Sequence, residues 1–469
     1  MQTYTQEWFG NFRADILSGI VVGLALIPEA LAFAFIVGVD PRVALYASFT
    51  MAIVIAFVGG RPAMVSAATG AMALVLVSLM ANHGLQYVLA ATILTGIIQF
   101  FLGIFGVANL MRFIPNAVML GFVNALGIMI FMTQMPYLVG RGAMTYVFAI
   151  VTLILVYLIP RFFRLIPAPL IAIIVMTSIA FLSGVNLQTI GDLGTMPDTL
   201  PTFFLPDIPL NLETLKIILP YSLALSVVGL LESLLTAQVL DDMTDTPSNK
   251  NKEARGQGIA NFVNGFFGGM AGCALIGQSV INVKSGGRGR LSTFVAGAFL
   301  LFLIIVLGDV VVDIPMPVLV GIMIMVSMTT FNWGSFSFLK QAPKSESFVM
   351  IITVAVILYT SNLAIGVIVG VILSTLIFVA RISRVKIYSD NGIYKVKGPL
   401  FFASTTTFLK TFADIPESHV VIDFEDSQIW DESAVGAMIK VQQKLEQQGK
   451  TVQFQGLNSS SKRLYEQFI

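Results

Sequence analysis

Two acidic residues lie inside long apolar stretches, where a charged side chain is costly. Glu29 occurs in ALIPEALAFAF and Glu232 in GLLESLLTA. A carboxylate in a membrane helix usually has a task, such as holding a proton or an ion. Thr236 follows Glu232 by four residues, so both side chains share one face of a helix. The pair is therefore a candidate site for a coupling cation, either H+ or Na+.

Each acid is followed downstream by a segment rich in small and polar residues, RPAMVSAATGAMALV after Glu29 and GGMAGCALIGQSVINVKSGG after Glu232. Interrupted segments at matching positions of two halves are typical of a transporter site. We predict that helices beginning near Ser66–Thr69 and near Ile276–Gln278 point their N-termini at one shared site. Such an end offers unpaired N–H groups and partial positive charge to an anion. The predicted substrate-binding residues are Ser66, Ala67, Ala68, Thr69, Leu275, Ile276, Gly277, Gln278 and Ser279.

A bound anion beside Glu232 would be repelled strongly at low dielectric. The conflict is relieved if a proton neutralises the carboxylate or if a sodium ion bridges the two charges. The residues therefore predict entry of anion and cation together. The structural alternatives are a Glu232 that bonds a neighbouring helix, a Glu29 that satisfies backbone groups freed by Pro28, and small residues that only allow close packing.

The composition is that of a membrane protein. Hydrophobic residues make up 56% of the 469 residues and charged residues 11%, and the mean hydropathy is +0.86. Apolar runs recur from Ile16 to Val379 and predict about 14 spans. Basic residues concentrate in alternate loops, which places both termini in the cytoplasm and the chain in the plasma (inner) membrane.

The chain changes character near Arg381, where charged and alternating segments begin. We therefore predict a transmembrane domain over residues 1–384 and a small α/β domain over residues 385–469. In the second domain, strands are expected near YKVKG and VVIDF, and a helix from Glu432 to Gln448.

Several classes of protein are excluded. The lone Cys273, with histidines only at 83 and 419, provides neither a metal cluster nor a nucleophile–histidine pair within the membrane, so an enzyme is not expected. A P-loop of the GxxxxGK[ST] type is absent, which argues against ATP-driven transport. The sequence also lacks a basic cluster interleaved with aromatic residues, so nucleic acid is not an expected partner.

Long stretches of the sequence resemble the SulP family of anion transporters. These are IPEALAFAFIVGVDPRVALYASF, GLLESLLTAQVLDD and NKEARGQGIANFVNGFFGGMAGCALIGQSVINVKSGGRGRLSTFVAG. The segments GPLFFAS and VVIDFEDSQIWDESAVGAM are similar to the STAS domain that follows the membrane domain in this family. The resemblance covers essentially the whole chain.

The resemblance implies seven-plus-seven inverted repeats with core and gate subdomains, two half-helices, an elevator-like motion and a homodimer. It implies a small anion bound between the third and tenth spans, with Glu232 and Thr236 as the cation site of sodium-coupled members and Glu29 as the acid of proton-coupled ones. It also implies a regulatory partner at the STAS domain. Two departures stand out: Gln278 replaces an arginine that many relatives have, and Glu432 occupies the position of a phosphorylatable serine.

The leading hypothesis is a secondary active transporter that imports a dicarboxylate such as fumarate, bicarbonate or sulfate by H+ or Na+ symport, with membrane lipid as its surroundings and no cofactor beyond the coupling ion. The alternatives are an uncoupled anion exchanger or channel, and a membrane sensor with the STAS domain as its output. Neither the anion nor the coupling ion follows from the residues.

Overall fold

The computed structural model describes residues 4–162, 167–192, 200–390 and 392–468. By internal contacts the chain divides into a unit that ends at Gly370 and a second that begins at Val371. The elements up to Ile382 are α1 (Tyr4–Phe9), α2 (Phe12–Val37), α3 (Pro41–Val58), β1 (Ser66–Ala68), α4 (Gly70–His83), α5 (Leu85–Ile104), α6 (Asn116–Leu138), α7 (Ala143–Phe162), α8 (Ala168–Ser183), α9 (Leu212–Thr244), α10 (Lys250–Phe266), β2 (Gly272–Ala274), α11 (Ile276–Lys284), α12 (Arg290–Val312), α13 (Met316–Thr330), α14 (Ser335–Gln341), α15 (Lys344–Thr360) and α16 (Leu363–Ile382).

Eight helical stretches in the described ranges are long and apolar enough to cross a membrane. They are Phe12–Val37, Pro41–Val58, Leu85–Ile104, Asn116–Leu138, Ala143–Phe162, Leu212–Thr244, Met316–Gln341 and Leu363–Ile382. Three further apolar helical stretches in the described residues are shorter: Gly70–His83, Ala168–Ser183 and Arg290–Val306. Length and composition thus agree with a multi-pass membrane protein.

Helix packing repeats itself between two halves of the unit. In the first half of the unit, which begins with α2, the helices α2 and α3 pack against α12 of the second half, which begins with α9. The equivalent α9 and α10 pack against α5. The fifth helices α6 and α13 contact each other, and each also contacts the sixth helix of the other half, α15 or α7. This exchange of neighbours is the pattern of two intertwined repeats, and it separates a core group (α2–α5 and α9–α12) from a gate group (α6–α8, α13 and α15).

The contact between α5 and α10 depends on glycine. A Cβ atom on Gly96 would collide with the backbone nitrogen of Phe262, and one on Gly258 would collide with that of Phe100. Small residues on both helices let the two backbones approach closely, which is a common basis of helix packing in membranes. The core group is therefore held by direct backbone contact between the two halves.

Two buried arginines each donate hydrogen bonds to the C-terminal end of a helix in the opposite half of the unit. Arg61 donates to the Leu240 carbonyl of α9 over 3.1 Å and pairs with Asp241 at 3.2 Å. Arg290 donates to the carbonyls of Ala56 and Gly59, at the end of α3. The last carbonyls of a helix have no partner within the helix and favour a cation.

The two interrupted segments meet each other. Strands β1 and β2 run antiparallel, with Ala67 opposite Cys273, and each leads directly into a helix. Helix α11 begins at Ile276, as predicted. Helix α4 begins only at Gly70, just past the predicted start near Ser66–Thr69. The preceding residues are extended because their backbone groups pair with the other repeat.

The second unit contains a four-stranded sheet in the order β3 (Lys386–Asp390), β4 (Ile393–Lys397), β5 (His419–Asp423) and β6 (Thr451–Gln455). The first pair is antiparallel and the next two are parallel. Its helices are α17 (Thr405–Thr411), α18 (Glu432–Gln447) and α19 (Ser459–Glu466). The Asp431 carboxylate accepts the Ala434 N–H and caps α18. The strands and the helix predicted here are confirmed, whereas the boundary at 384/385 stays a prediction.

Candidate functional site

A cavity of about 440 Å³ lies between the core and gate groups. It is lined from the core by α2, α4, α9 and α11, and from the gate by α6, α13 and the segment that begins α8. Most of its wall is apolar, with Phe33, Phe122 and Leu126 among the larger side chains. The polar side chains on the wall are Glu29, Glu232, Gln278, Thr329 and Thr330.

The ends of both half-helices form part of this wall. Gly70 and Ala71 open α4, and Ile276 and Gly277 open α11. Among the described residues no side chain caps α11, and no atom lies within 4 Å of the place where a Cβ on Gly277 would sit. The first N–H groups of a helix lack partners within the helix and attract anions. The cavity therefore offers an anion two helix N-termini, with the one at Gly277 the more open.

Glu232 lines the cavity with 9% of its surface exposed. The Cys273 thiol donates to its Oε2 over 3.0 Å, and the sulfur lies 3.1 Å from the Thr69 hydroxyl. Glu29 faces the Gln278 side chain and is near enough to Glu232 for the two charges to repel each other. The two acids predicted from sequence thus meet at one cavity, although they are some 200 residues apart.

Basic residues are missing from the described part of the cavity wall: it carries two carboxyl groups and no lysine, arginine or histidine. A bound anion would have only helix ends, hydroxyl groups and the Gln278 amide as favourable partners. At an effective dielectric constant of about 20, two like charges 4 Å apart repel by about 4 kcal/mol. An anion and two ionised carboxylates therefore do not fit this cavity together unless a cation or protons accompany them.

Six of the predicted cation and substrate residues line the cavity: Glu29, Glu232, Leu275, Ile276, Gly277 and Gln278. The others lie behind its wall. Ser66, Ala67 and Ala68 form β1, whose pairing with β2 turns their backbone toward the other repeat. The Ser66 hydroxyl accepts a hydrogen bond of 2.7 Å from Gln257. These residues support the first half-helix and do not reach the cavity.

Thr69, Ser279 and Thr236 also make internal contacts. The Thr69 hydroxyl caps α4 by accepting the Met72 N–H over 3.4 Å. The Ser279 hydroxyl bonds the backbone of Val65, which ties α11 to the strand of the other repeat. The Thr236 hydroxyl donates to the Glu232 carbonyl over 2.7 Å, and the cavity wall carries Leu235 in its place. The proposed Na+ site at Glu232 and Thr236 would use the remaining lone pairs of that hydroxyl.

Sequence reasoning missed one residue of the site and one supporting row. Cys273 was not among the predicted site residues, yet its thiol contacts Glu232. The supporting row consists of buried polar side chains along one face of α10: Glu253, Gln257, Asn261 and Asn264. Asn261 exchanges two hydrogen bonds of 2.9 Å with the backbone of Gly272 in β2. The helical spacing of polar residues in KNKEARGQGIANFVNGF was the signal available for this row.

Comparisons with known proteins agree with this architecture. The sequence matches the model of the sulfate permease family over residues 12–154 and 141–353, and that of the STAS domain over residues 383–469. A protein of Bacillus subtilis (strain 168) described as "Putative sulfate transporter YbaR" is 57% identical over 99% of this chain and 98% of its own length.

Two solved structures share the fold. The transmembrane domain of a cyanobacterium bicarbonate transporter, BicA, aligns with a TM-score of 0.67 and 27% identity, covering 78% of this chain and 97% of that one. Murine Slc26a9, in its inward-facing state, aligns with a TM-score of 0.85 and 18% identity, covering 98% and 88%. The predicted fold class, a polytopic helical protein with seven-plus-seven inverted repeats and a C-terminal STAS domain, is thus confirmed.

Proposed function

The chain belongs to the sulfate permease family of anion transporters, and from that premise we propose that it moves a small anion together with a cation. In this proposal the anion binds between the N-termini of α4 and α11, and Glu232 carries the coupling ion. The protein would work as a secondary active symporter, and the cation gradient would supply the free energy for accumulation.

One observation carries the proposal: the described wall of an anion transporter's cavity holds two carboxyl groups and no basic side chain. An exchanger that carries an anion alone needs compensating positive charge, which Gln278 does not provide. Protonation of Glu232, or a sodium ion held between Glu232 and Thr236, removes the repulsion and adds attraction. Each ion then makes the presence of the other tolerable, which is the requirement for coupling.

Glu29 has a secondary part in this proposal. It is half-buried, faces Gln278 and acts on Glu232 through charge. Ionisation of both acids at once is unfavourable because like charges repel in a water-poor cavity. We therefore assign to the pair the uptake of at least one proton when the coupling ion is H+.

The cavity boundary supports an elevator-type movement in our proposal. One wall comes from the core group and the other from the gate group. A displacement of the core along the gate would carry both helix ends and both acids together, since β1, β2 and α10 tie them into one body. The substrate would then be exposed alternately to the two sides of the membrane.

Substrate, location and assembly remain parts of the proposal. Bicarbonate, sulfate and fumarate-like dicarboxylates are the candidate anions. The names of two similar proteins, a putative sulfate transporter and a bicarbonate transporter, support the first two. We place the protein in the plasma membrane with both termini in the cytoplasm, as a homodimer whose STAS domain receives regulation.

The proposal is tested by uptake into proteoliposomes that contain the full-length protein. Labelled fumarate, bicarbonate and sulfate are each supplied with a proton gradient alone and a sodium gradient alone. For one-to-one electroneutral symport, a roughly tenfold cation gradient supports roughly tenfold accumulation, because both represent the same free energy. The Glu232→Gln variant should accumulate nothing above equilibrium under either gradient.

Glu346→Gln is the matched control, because it makes the same change at an acid in the first turn of α15, away from the cavity. This variant should retain accumulation. If the wild-type protein only equilibrates or exchanges anions under every gradient, the symporter is rejected in favour of an exchanger or channel. Undiminished accumulation by Glu232→Gln would instead reject the role of this carboxylate.

A further inference from the structure

A short hydrogen-bonded row joins Glu232 to the start of the first half-helix. The Cys273 thiol contacts Glu232 Oε2 at 3.0 Å, and its sulfur lies 3.1 Å from the Thr69 hydroxyl. The Thr69 hydroxyl in turn accepts the Met72 N–H and caps α4. Thr69 and Cys273 are fully buried, and β1–β2 pairing fixes Cys273 opposite Ala67. The row thus crosses from the second repeat to the first.

The number of hydrogens determines which way this row points. A thiol has one hydrogen, and an ionised carboxylate can only accept. With Glu232 ionised, the thiol donates to the carboxylate, so in these contacts the Thr69 hydroxyl can only be a donor, both to the sulfur and to the Glu232 carboxylate, which it also reaches. Once Glu232 gains a proton, the acid becomes a donor itself and the thiol hydrogen is free to turn toward the Thr69 oxygen. That oxygen is the one that caps α4.

We propose that Cys273 is a positioning residue for coupling, which holds the ionised Glu232 carboxylate and transmits its loss of charge to the cap of α4. The inference rests on the proposed coupling role of Glu232. It adds a physical route by which loading of the cation alters the helix end that faces the anion. The thiol acts through Glu232 and Thr69 and does not itself line the cavity.

The charged surroundings of Glu232 are sparse. Within the described chain, the titratable groups that act on it are Cys273 on β2 and Glu29 on α2. Helices α4, α5 and α11 carry their titratable side chains (His83, Tyr87, Lys284) at their outer ends. The charged residues of α10 lie in its first half, where Glu253 is bound by the Gly60 and Arg61 N–H groups. A change in the pH response after substitution of Cys273 therefore reports on this row.

The first test is infrared spectroscopy of the full-length protein in lipid. The chain has a single cysteine, so its S–H stretching band comes from Cys273 alone. In the wild type the band should shift as pH crosses the titration of the carboxyl group. In Glu232→Gln it should lie at a different frequency and be independent of pH. A band that is the same in both proteins at every pH would overturn the proposal.

The second test is the pH profile of uptake in Cys273→Ala and Cys273→Ser. Alanine removes the thiol donor and leaves that of Thr69, which disfavours the ionised carboxylate, so the limb of the profile set by Glu232 should move roughly half to one pH unit upward. Serine restores a donor and should return the limb to its wild-type position or below. With Na+ as the coupling ion the same limb appears, since protonation of Glu232 then competes with sodium.

Ser233→Ala is the matched control for this test. Ser233 accepts the Ala274 N–H over 3.1 Å. Loss of the Ser233 hydroxyl therefore weakens the attachment of β2 to α9 without removing a donor to the Glu232 carboxylate. The pH profile of this variant should match the wild type. The pH profile of uptake could instead shift equally in Cys273→Ala and Cys273→Ser, or equally in Ser233→Ala. Either result would show that Cys273 is only a packing residue. A pH-dependent S–H band in a protein that shows no coupled transport would reject the proposed function, and with it the relay, while leaving the contact as structural.

Discussion

The two half-helix segments have the same design but different surroundings. In the first repeat, Thr69 caps α4, and Gly70 is buried against Phe33 and Ile130. In the second, α11 lacks a side-chain cap from any described residue, and Gly277 is exposed with open space around it. Helix α4 has 14 residues and α11 only 9. The first segment is thus a packed support, whereas the second is an open end.

This difference assigns separate tasks to two segments that the sequence presents as equivalents. The N-terminus of α11 is the part that an anion can approach directly. The N-terminus of α4 is tied by Thr69 and Cys273 to the carboxylate that we propose as the cation site. In our proposal the second repeat therefore faces the anion most directly, and the first responds to the cation, although both half-helices lie on one cavity.

Of the changes considered, filling the open space at the N-terminus of α11 should have the largest effect on uptake. Gly277→Leu should lower the initial rate of uptake more than roughly tenfold, because the side chain occupies the space in front of the α11 N–H groups. Thermal stability should stay close to that of the wild type, since no described atom lies within 4 Å of the new Cβ. Uptake and thermal unfolding of the purified protein measure the two effects.

Gly70→Ala is the counterpart in the packed segment. Its Cβ would lie 3.1 Å from atoms of Phe33 and Ile130, so we expect a destabilisation of about 1–3 kcal/mol by overpacking. A Gly277→Leu protein that transports normally, or one that loses as much stability as Gly70→Ala, would contradict the distinction between the segments.

Adding charge at the open end should have an intermediate effect. Gln278→Arg supplies the fixed positive charge that the described cavity wall lacks, opposite Glu29. We expect the half-saturating anion concentration to fall roughly three- to tenfold, and uptake to depend less on the cation gradient, because the anion no longer needs a cation beside it. Gln278→Met, of similar length and uncharged, controls for shape and should gain neither property. If uptake by the arginine variant depends on the cation gradient as strongly as in the wild type, the lack of basic residues in the cavity wall is not the cause of coupling.

Removal of the STAS domain should have the smallest effect. Every residue of the comparison lies in the first unit, so a chain ending at residue 384 should keep measurable gradient-driven uptake and the contrast between Gly277→Leu and Gly70→Ala. Complete loss of uptake in a truncated protein that is folded and inserted would show that transport requires the STAS domain.

Much of the fold could be predicted from the sequence because hydrophobic length is a strong signal for membrane helices. Both acids and both interrupted segments were recognised for the same reason: polar residues are rare in apolar surroundings. Exact helix starts were less accessible, since the extended conformation of Ser66–Ala68 results from pairing with residues some 200 positions away.

The role of individual side chains was the least predictable part. Cys273 is a common packing residue by type, and only its position opposite Ala67 brings the thiol to Glu232. Ser279 was expected to face the anion, but its hydroxyl bonds Val65, because the two strands place that backbone within reach. Sequence patterns indicate which segments form the site, whereas pairing between repeats decides which atoms face it.

The exchange of neighbours between repeats has a consequence for biosynthesis. The ribosome delivers α2–α5 well before α9–α12, yet the partners of the early polar groups lie in the later helices. Arg61 pairs with Asp241, and Gln99 accepts a hydrogen bond from Asn261. The first repeat therefore completes these polar contacts only after α9 and α10 have been synthesised, so it cannot reach its final packing while the second repeat is absent.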